Sequence, residues 1–128
     1  MNADINKLRP DFLAIVKAGL EILDNSRIRY AITSTTRTAE EQNGYFKKGT
    51  SKCDGYKKLS PHQLGIAVDI VPLDEYEHPT WNYYRYRTAY KRIAAIMRIA
   101  GCECGQDWPP IDSKSGMGWD PPHYQLKT

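Results

Sequence analysis

No stretch of this 128-residue chain is apolar enough to span a membrane. The first residues, Met1-Asn-Ala-Asp-Ile-Asn-Lys7, contain no apolar core of the length a secretory signal needs, so the expectation is a soluble chain made in the cytoplasm without a signal peptide. Basic charge never gathers into a block: 18 Lys and Arg stand against 15 Asp and Glu, scattered along the chain for a net charge of +3. That balance suits an anionic polymer or an ordinary mixed surface and does not indicate nucleic acid. The three cysteines, Cys53, Cys102 and Cys104, are an odd number, which excludes a complete disulfide framework. Cys102 and Cys104 are too tightly spaced for a good zinc chelate, although a structural site with Cys53 stays open. The chain is also too short for a separate targeting module, and 41% hydrophobic residues suffice for one core, so function is expected to reside in one domain, residues 1–128.

What is present reads first as helices and short strands. Leu13, Val16, Leu20 and Leu23 recur at helical spacing after Pro10-Asp11, which predicts a core helix from Pro10 to about Asp24. Ile28, Tyr30 and Ile32 alternate with Arg29, Ala31 and Thr33, a strand that delivers Ser34-Thr-Thr-Arg37 to its end. Thr38-x-x-Glu41 is a capping box that opens a short helix through Phe46, with Gly49 as its stop. Residues 49–58 read as a polar, basic loop, and Asp74 to Pro79 as an acidic connector in which His78 is solvated. A second long helix is expected from about Asn82 to Ala100, with Tyr86, Tyr90, Ile93 and Met97 on one face and Gly101 ending it. The Gly/Pro/Ser-rich residues 105–118 form a long loop, disordered or functional.

The chemistry concentrates in two segments. In Ser60-Pro-His-Gln-Leu-Gly-Ile-Ala-Val-Asp69, the large apolar Leu64, Ile66 and Val68 alternate with Gly65, Ala67 and Asp69. Asp69 therefore projects from the opposite face of a strand, which small neighbours keep clear. Imidazole and carboxylate both suit a borderline cation such as zinc, but His62 and Asp69 alone are as well explained by a hydrogen bond. The second segment, Trp119-Asp-Pro-Pro-His-Tyr-Gln-Leu126, supplies His123 in a strand-like context. Pro121 and Pro122 predict an extended course from Asp120 to His123, placing both on one side about 9 Å apart along the axis. That spacing argues for His123 as a ligand and Asp120 as a group reaching the open side of the metal. Two histidines and a carboxylate leave a fourth tetrahedral position for water, the pattern of catalytic zinc. A nearby carboxylate can then take the water's proton and pass it to a leaving amine, which points to amide hydrolysis. Arg37, between a strand end and a helix cap, is a surface charge unless it lies near this site, where a guanidinium can hold a carboxylate or an oxyanion.

Ser60-x-His62-x-x-Gly65-x-Ala67-x-Asp69 followed by Asp120-x-x-His123, with Thr36-Arg37-Thr38 upstream and Gly105-x-Asp107-Trp108 between, resembles the zinc D,D-carboxypeptidase and L-alanyl-D-glutamate endopeptidase family that cuts peptidoglycan stem peptides. The resemblance runs from about residue 30 to 126 and is nearest in appearance to the single-domain L-alanyl-D-glutamate peptidases, which include bacteriophage endolysins. It implies an α+β fold, a small antiparallel sheet carrying the ligands of one Zn2+ ion and packed against helices. His62, Asp69 and His123 would be the ligands, Asp120 the general base, and Arg37 the contact to substrate or the tetrahedral intermediate. Ser60 would hydrogen-bond near the metal and Asp107 would orient a ligand. The implied protein is a monomer that binds stem peptides without inserting in a membrane, waits in the host cytoplasm and acts on the cell wall once another protein breaches the membrane. A D-alanyl-D-alanine carboxypeptidase, a dipeptidase of small D-peptides and a non-catalytic wall-binding module are the alternatives. Two departures stand out: Asp120 occupies a place where other branches carry Glu, and Pro121-Pro122 stiffens the segment before His123.

Overall fold

The structure is a computed structural model and describes residues 2–127. Three helices and a four-stranded antiparallel sheet pack together as an α+β fold: α1 (Pro10–Asn25), β1 (Tyr30–Ser34), α2 (Ala39–Lys47), β2 (Ala67–Pro72), α3 (Arg87–Ala100), β3 (Cys102–Cys104) and β4 (His123–Leu126). The strand order is β1-β2-β4-β3. The last strand therefore runs through the middle of the sheet, with Asp69 opposite His123 on one side and Glu103 opposite Gln125 on the other.

Strand alternation divides the sheet into two faces. Val68 and Ile70 of β2, Tyr124 of β4, and Cys102 and Cys104 of β3 point to one face and join Phe12, Val16 and Leu23 of α1 and Ile93 and Met97 of α3 in the main core. Each such side chain, fully buried, contributes about 1.5–3 kcal/mol. Asp69, His123, Gln125 and Glu103 belong to the other face, where the site lies. A smaller cluster of Val71, Tyr90 and Met117 closes that side near α3.

Local signals set most element ends. The Thr38–Glu41 capping box is formed in both directions at the start of α2, and Gly101, in the left-handed region, stops α3. Two expectations are corrected. β2 begins at Ala67, so Leu64 lies in the preceding turn and is 50% exposed instead of facing the core. The helix expected from Asn82 begins only at Arg87: the Asn82 side chain and carbonyl accept from the Arg85 and Tyr86 amides and close a first turn, but Tyr86, at φ −105° and ψ 25°, leaves helical geometry and separates that turn from α3. Cys102–Cys104 is a strand whose two thiols are buried and unpaired, and among the described residues no group that could hold a metal includes a cysteine. Residues 105–118 are ordered: a 3-10 turn at Gly105–Asp107 leads into a loop that returns Met117 to the interior. Among the described residues no helix is long and apolar enough to cross a membrane.

Candidate metal centre

His62 sits in the turn before β2, Asp69 in β2, and His123 at the start of β4. One ligand atom from each converges within 4.8 Å of the others. Asp69 Oδ1 lies 3.2 Å from His62 Nε2 and 3.6 Å from His123 Nδ1. Both histidines are buried, at 3% and 5% exposure.

The outer nitrogen of each ring is already committed. His62 Nδ1 is 2.6 Å from the Thr35 carbonyl oxygen, which can only accept, so this nitrogen carries the proton. His123 Nε2 is 2.8 Å from Gln125 Oε1. The orientation of that amide is fixed in turn: Gln125 Nε2 donates to Glu103 Oε2 at 3.1 Å, leaving Oε1 to accept from His123. Trp108 Nε1 donates to the same Glu103 oxygen. Neutral histidines held this way present bare lone pairs at His62 Nε2 and His123 Nδ1, facing a carboxylate oxygen that is buried without a hydrogen-bond partner. Three electron-rich atoms facing one another are unfavourable unless a proton or a cation lies between them. Burial works to lower the His123 pKa, and the proximity and charge of Asp69, with the charge of Asp120, outweigh burial and raise it. Burial likewise works to raise the Asp69 pKa and is outweighed by His123 and His62, which hold it well below the usual carboxylate range. A divalent cation satisfies all three donors without those protons, and the outer-nitrogen contacts are the supports that metal-bound imidazoles use. The donor set, two imidazoles and one carboxylate, fits zinc.

Asp120 and Arg37 flank the centre. Asp120 Oδ2 is 3.7 Å from His123 Nδ1; burial raises its pKa above the usual value, partly offset by His123. The extended course expected here is instead a turn, closed by the His123 amide donating to the Asp120 carbonyl at 3.1 Å. The prolines fix two φ angles but not ψ, and tertiary packing chooses the bend: Gln106, buried, donates to the Pro121 carbonyl from below. Gly105 and Gly118 permit that packing, since a Cβ on Gly105 would stand 2.1 Å from the Asp120 carbonyl oxygen and one on Gly118 2.2 Å from that of Trp108. Arg37 reaches across from the β1–α2 connection, with NH2 3.6 Å from Asp69 Oδ2. Its guanidinium lies 4.3 Å over the Tyr45 ring and donates to Gln42 Oε1.

Ser60 is buried beside the groove, its hydroxyl without a partner. Asp107 is not brought to the centre: it forms a two-bond ion pair with Arg98, at 2.7 and 3.0 Å, on an exposed edge. The orienting contacts expected of it come instead from Thr35 and from Gln125 with Glu103, which sequence reasoning missed. The signal was available in the strand period, because Gln125 is two residues from His123 and so shares its face. His78 is exposed in its turn, as expected.

A groove of about 940 Å3 opens over the centre. Arg37, Lys48, Lys52 and Lys58 line it on one side and Trp81, Tyr83, Trp108 and Trp119 elsewhere, with His62, Asp69 and His123 at its floor. A candidate ligand set at the base of an open groove, carried on a small α+β sheet, is an arrangement suited to metal-dependent hydrolysis. The sequence is more specific: the pattern of the D-alanyl-D-alanine carboxypeptidase family matches residues 54–126, and the chain belongs to that peptidase family. No curated protein matches the chain. Among solved structures, the L-Ala D-Glu endopeptidase ChiX of Serratia marcescens superposes with a TM-score of 0.71 at 23% identity, covering 96% of this chain and 83% of that one. VanYB in complex with D-alanine-D-alanine superposes at 0.60 and 18% identity, covering 93% of this chain and 71% of its own. A vancomycin-resistance D,D-pentapeptidase VanY in complex with Zn(II) superposes at 0.54 and 20% identity, covering 93% and 72%. At these identities the likeness is one of fold.

Proposed function

We propose that residues 1–128 form a zinc peptidase domain that hydrolyses the L-alanyl-D-glutamate bond of peptidoglycan stem peptides. The observation that carries this reading is the convergence of His62 Nε2, Asp69 Oδ1 and His123 Nδ1 around a buried, unpartnered carboxylate oxygen. Zinc held by these three would supply Lewis acidity, lowering the pKa of a water and polarising the scissile carbonyl. Asp120, beside His123 and facing the groove, takes a proton from the attacking water as the C–O bond forms. It returns that proton to the leaving amine as the C–N bond breaks, so one water is consumed and Asp120 ends as it began. Arg37 carries its charge where oxyanion character develops on the substrate, and its stacking on Tyr45 keeps the guanidinium in place.

The fold-level likeness to an L-Ala D-Glu endopeptidase supports the choice of bond. The family description and Arg37, suited to clamping a terminal carboxylate, favour a D,D-carboxypeptidase as the second reading. Mass spectrometry of purified peptidoglycan digested with zinc-loaded protein, against a chelated control, separates them. New amino-terminal glutamate establishes the endopeptidase and released alanine the carboxypeptidase. An unchanged digest with zinc bound refutes both. Asp120→Asn is expected to keep the metal and lose about 10²–10⁴-fold in turnover. A role in phage-driven lysis is the biological setting we infer; its test is whether expression lyses a host only after the inner membrane is permeabilised.

A further inference from the structure

Across the Asp120–His123 turn from the metal centre lies a second hollow of about 430 Å3, lined by Trp81, Asn82, Tyr84, Asp112, Ser115 and Trp119. Trp81 and Trp119 also line the main groove, so the two share a wall. Trp81, Tyr84 and Trp119 are left 52–55% exposed, with the Arg87 guanidinium over one face of the Tyr84 ring. Large apolar surface gathered in one concave place marks a binding site more often than chance does. Its rim is polar, carrying Asn82 and Asp112 beside the buried Ser115, whose Oγ accepts from the Met117 amide. Flat aromatic faces with a hydrogen-bonding rim suit a pyranose ring, whose C–H face packs on an aromatic while its hydroxyl and acetamido groups reach the edge.

Distance fits this ligand to the reaction. From His123 to Trp108 the ring centroids are 5.0 Å apart, and from Trp108 to Trp119 5.3 Å. In a peptidoglycan stem the alanine is joined to its sugar by a lactyl bridge. The sugar of a substrate cut after that alanine thus lies only about two residue lengths, of roughly 3.5 Å each, from the reacting carbonyl. A substrate cut at a terminal D-alanine carries its sugar several residues further off. We propose that this hollow is a glycan subsite that holds the N-acetylhexosamine ring bearing the stem peptide, on the amino side of the scissile bond. The inference rests on the peptidoglycan reading above and deepens it, because a sugar this close is used only by an enzyme cutting next to the glycan.

The first test needs no turnover. An N-acetylglucosamine–N-acetylmuramic acid disaccharide without peptide is titrated into the zinc-loaded protein, and the indole N–H resonances of Trp81 and Trp119 are followed. Saturable shifts of both are expected; no shift up to the solubility limit, or shifts with free stem peptide only, overturns the subsite. The second test compares KM for the stem peptide with and without its disaccharide. Wild type is expected to favour the glycan-linked form, and Tyr84→Ala to raise its KM about fivefold while leaving free stem peptide unchanged, with Tyr84→Trp restoring preference. Equal KM values for the two substrates in wild type overturn the proposal. If neither substrate is cut, the peptidase reading has failed and the disaccharide titration still decides the hollow.

Discussion

Replacing Gly105 by Ala tests whether the position of Asp120 sets the rate. The added Cβ would stand 2.1 Å from the Asp120 carbonyl oxygen and 3.0 Å from both its carbonyl carbon and its Cβ, whereas ordinary contact begins near 3.4 Å. The obstructing atoms are backbone, so the turn must retreat by roughly 1 Å or more. The same carbonyl accepts the His123 amide at 3.1 Å, so its retreat loosens the bond that sets Asp120 against His123. Misplacing a catalytic group by about 1 Å costs on the order of 10²-fold in rate. The strain itself costs about 1–3 kcal/mol, and at about 4 °C per kcal/mol for a chain of this size the Tm should fall by roughly 4–12 °C. The assay is kcat on a stem peptide below the Tm of the variant, with zinc content measured on the same sample. The expected result is a variant that is folded and zinc-loaded but about 100-fold slow. A kcat within about threefold of wild type would refute the reasoning. Loss of zinc in proportion to activity would move the effect from Asp120 to His123.

Three further outcomes follow from neighbouring features. Gly44→Ala, in the middle of α2 with nothing within 4 Å of the new Cβ, should stabilise the protein by about 0.5–1 kcal/mol in denaturant melts without changing kcat. Gln125→Ala removes the acceptor for His123 Nε2 and should weaken zinc binding about 10–100-fold in competition with a chromogenic chelator. Burial pushes the Cys102 thiol up to about 12 and that of Cys104 to about 11, so a thiol reagent at pH 8 should modify Cys53 alone until denaturant is added.

How far the sequence carried the argument differs by residue. His62, Asp69 and His123 were legible because strand alternation and the scarcity of histidine left few ways to assemble a ligand set, and the structure brings the three together. α1 and the α2 cap followed from apolar spacing and the Thr38–Glu41 box, both local signals. The bend at Asp120–His123 was not legible. Two prolines advertise their φ angles, but the ψ angles that close the turn are chosen by Gln106, Gly105 and Gly118, none adjacent in sequence. Glu103 and Gln125 escaped notice for a related reason: a polar residue alternating with apolar ones in a strand looks solvent-facing until its partner strand is known. Asp107 was misplaced because the resemblance of Gly105-x-Asp107-Trp108 does not reveal that Arg98, in the last turn of α3, captures its carboxylate.

The placement of the last strand between β2 and β3 has a temporal side. While the polypeptide is being synthesised, β2 can pair with β1, but β3 has no neighbour, and the centre consists of His62 and Asp69 with their third partner not yet made. Arrival of residues 123–126 joins the two halves of the sheet in one step and brings His123 opposite Asp69. Completion of the sheet and assembly of the His62, Asp69 and His123 group are therefore one event, and a nascent chain short of this strand lacks the third of them.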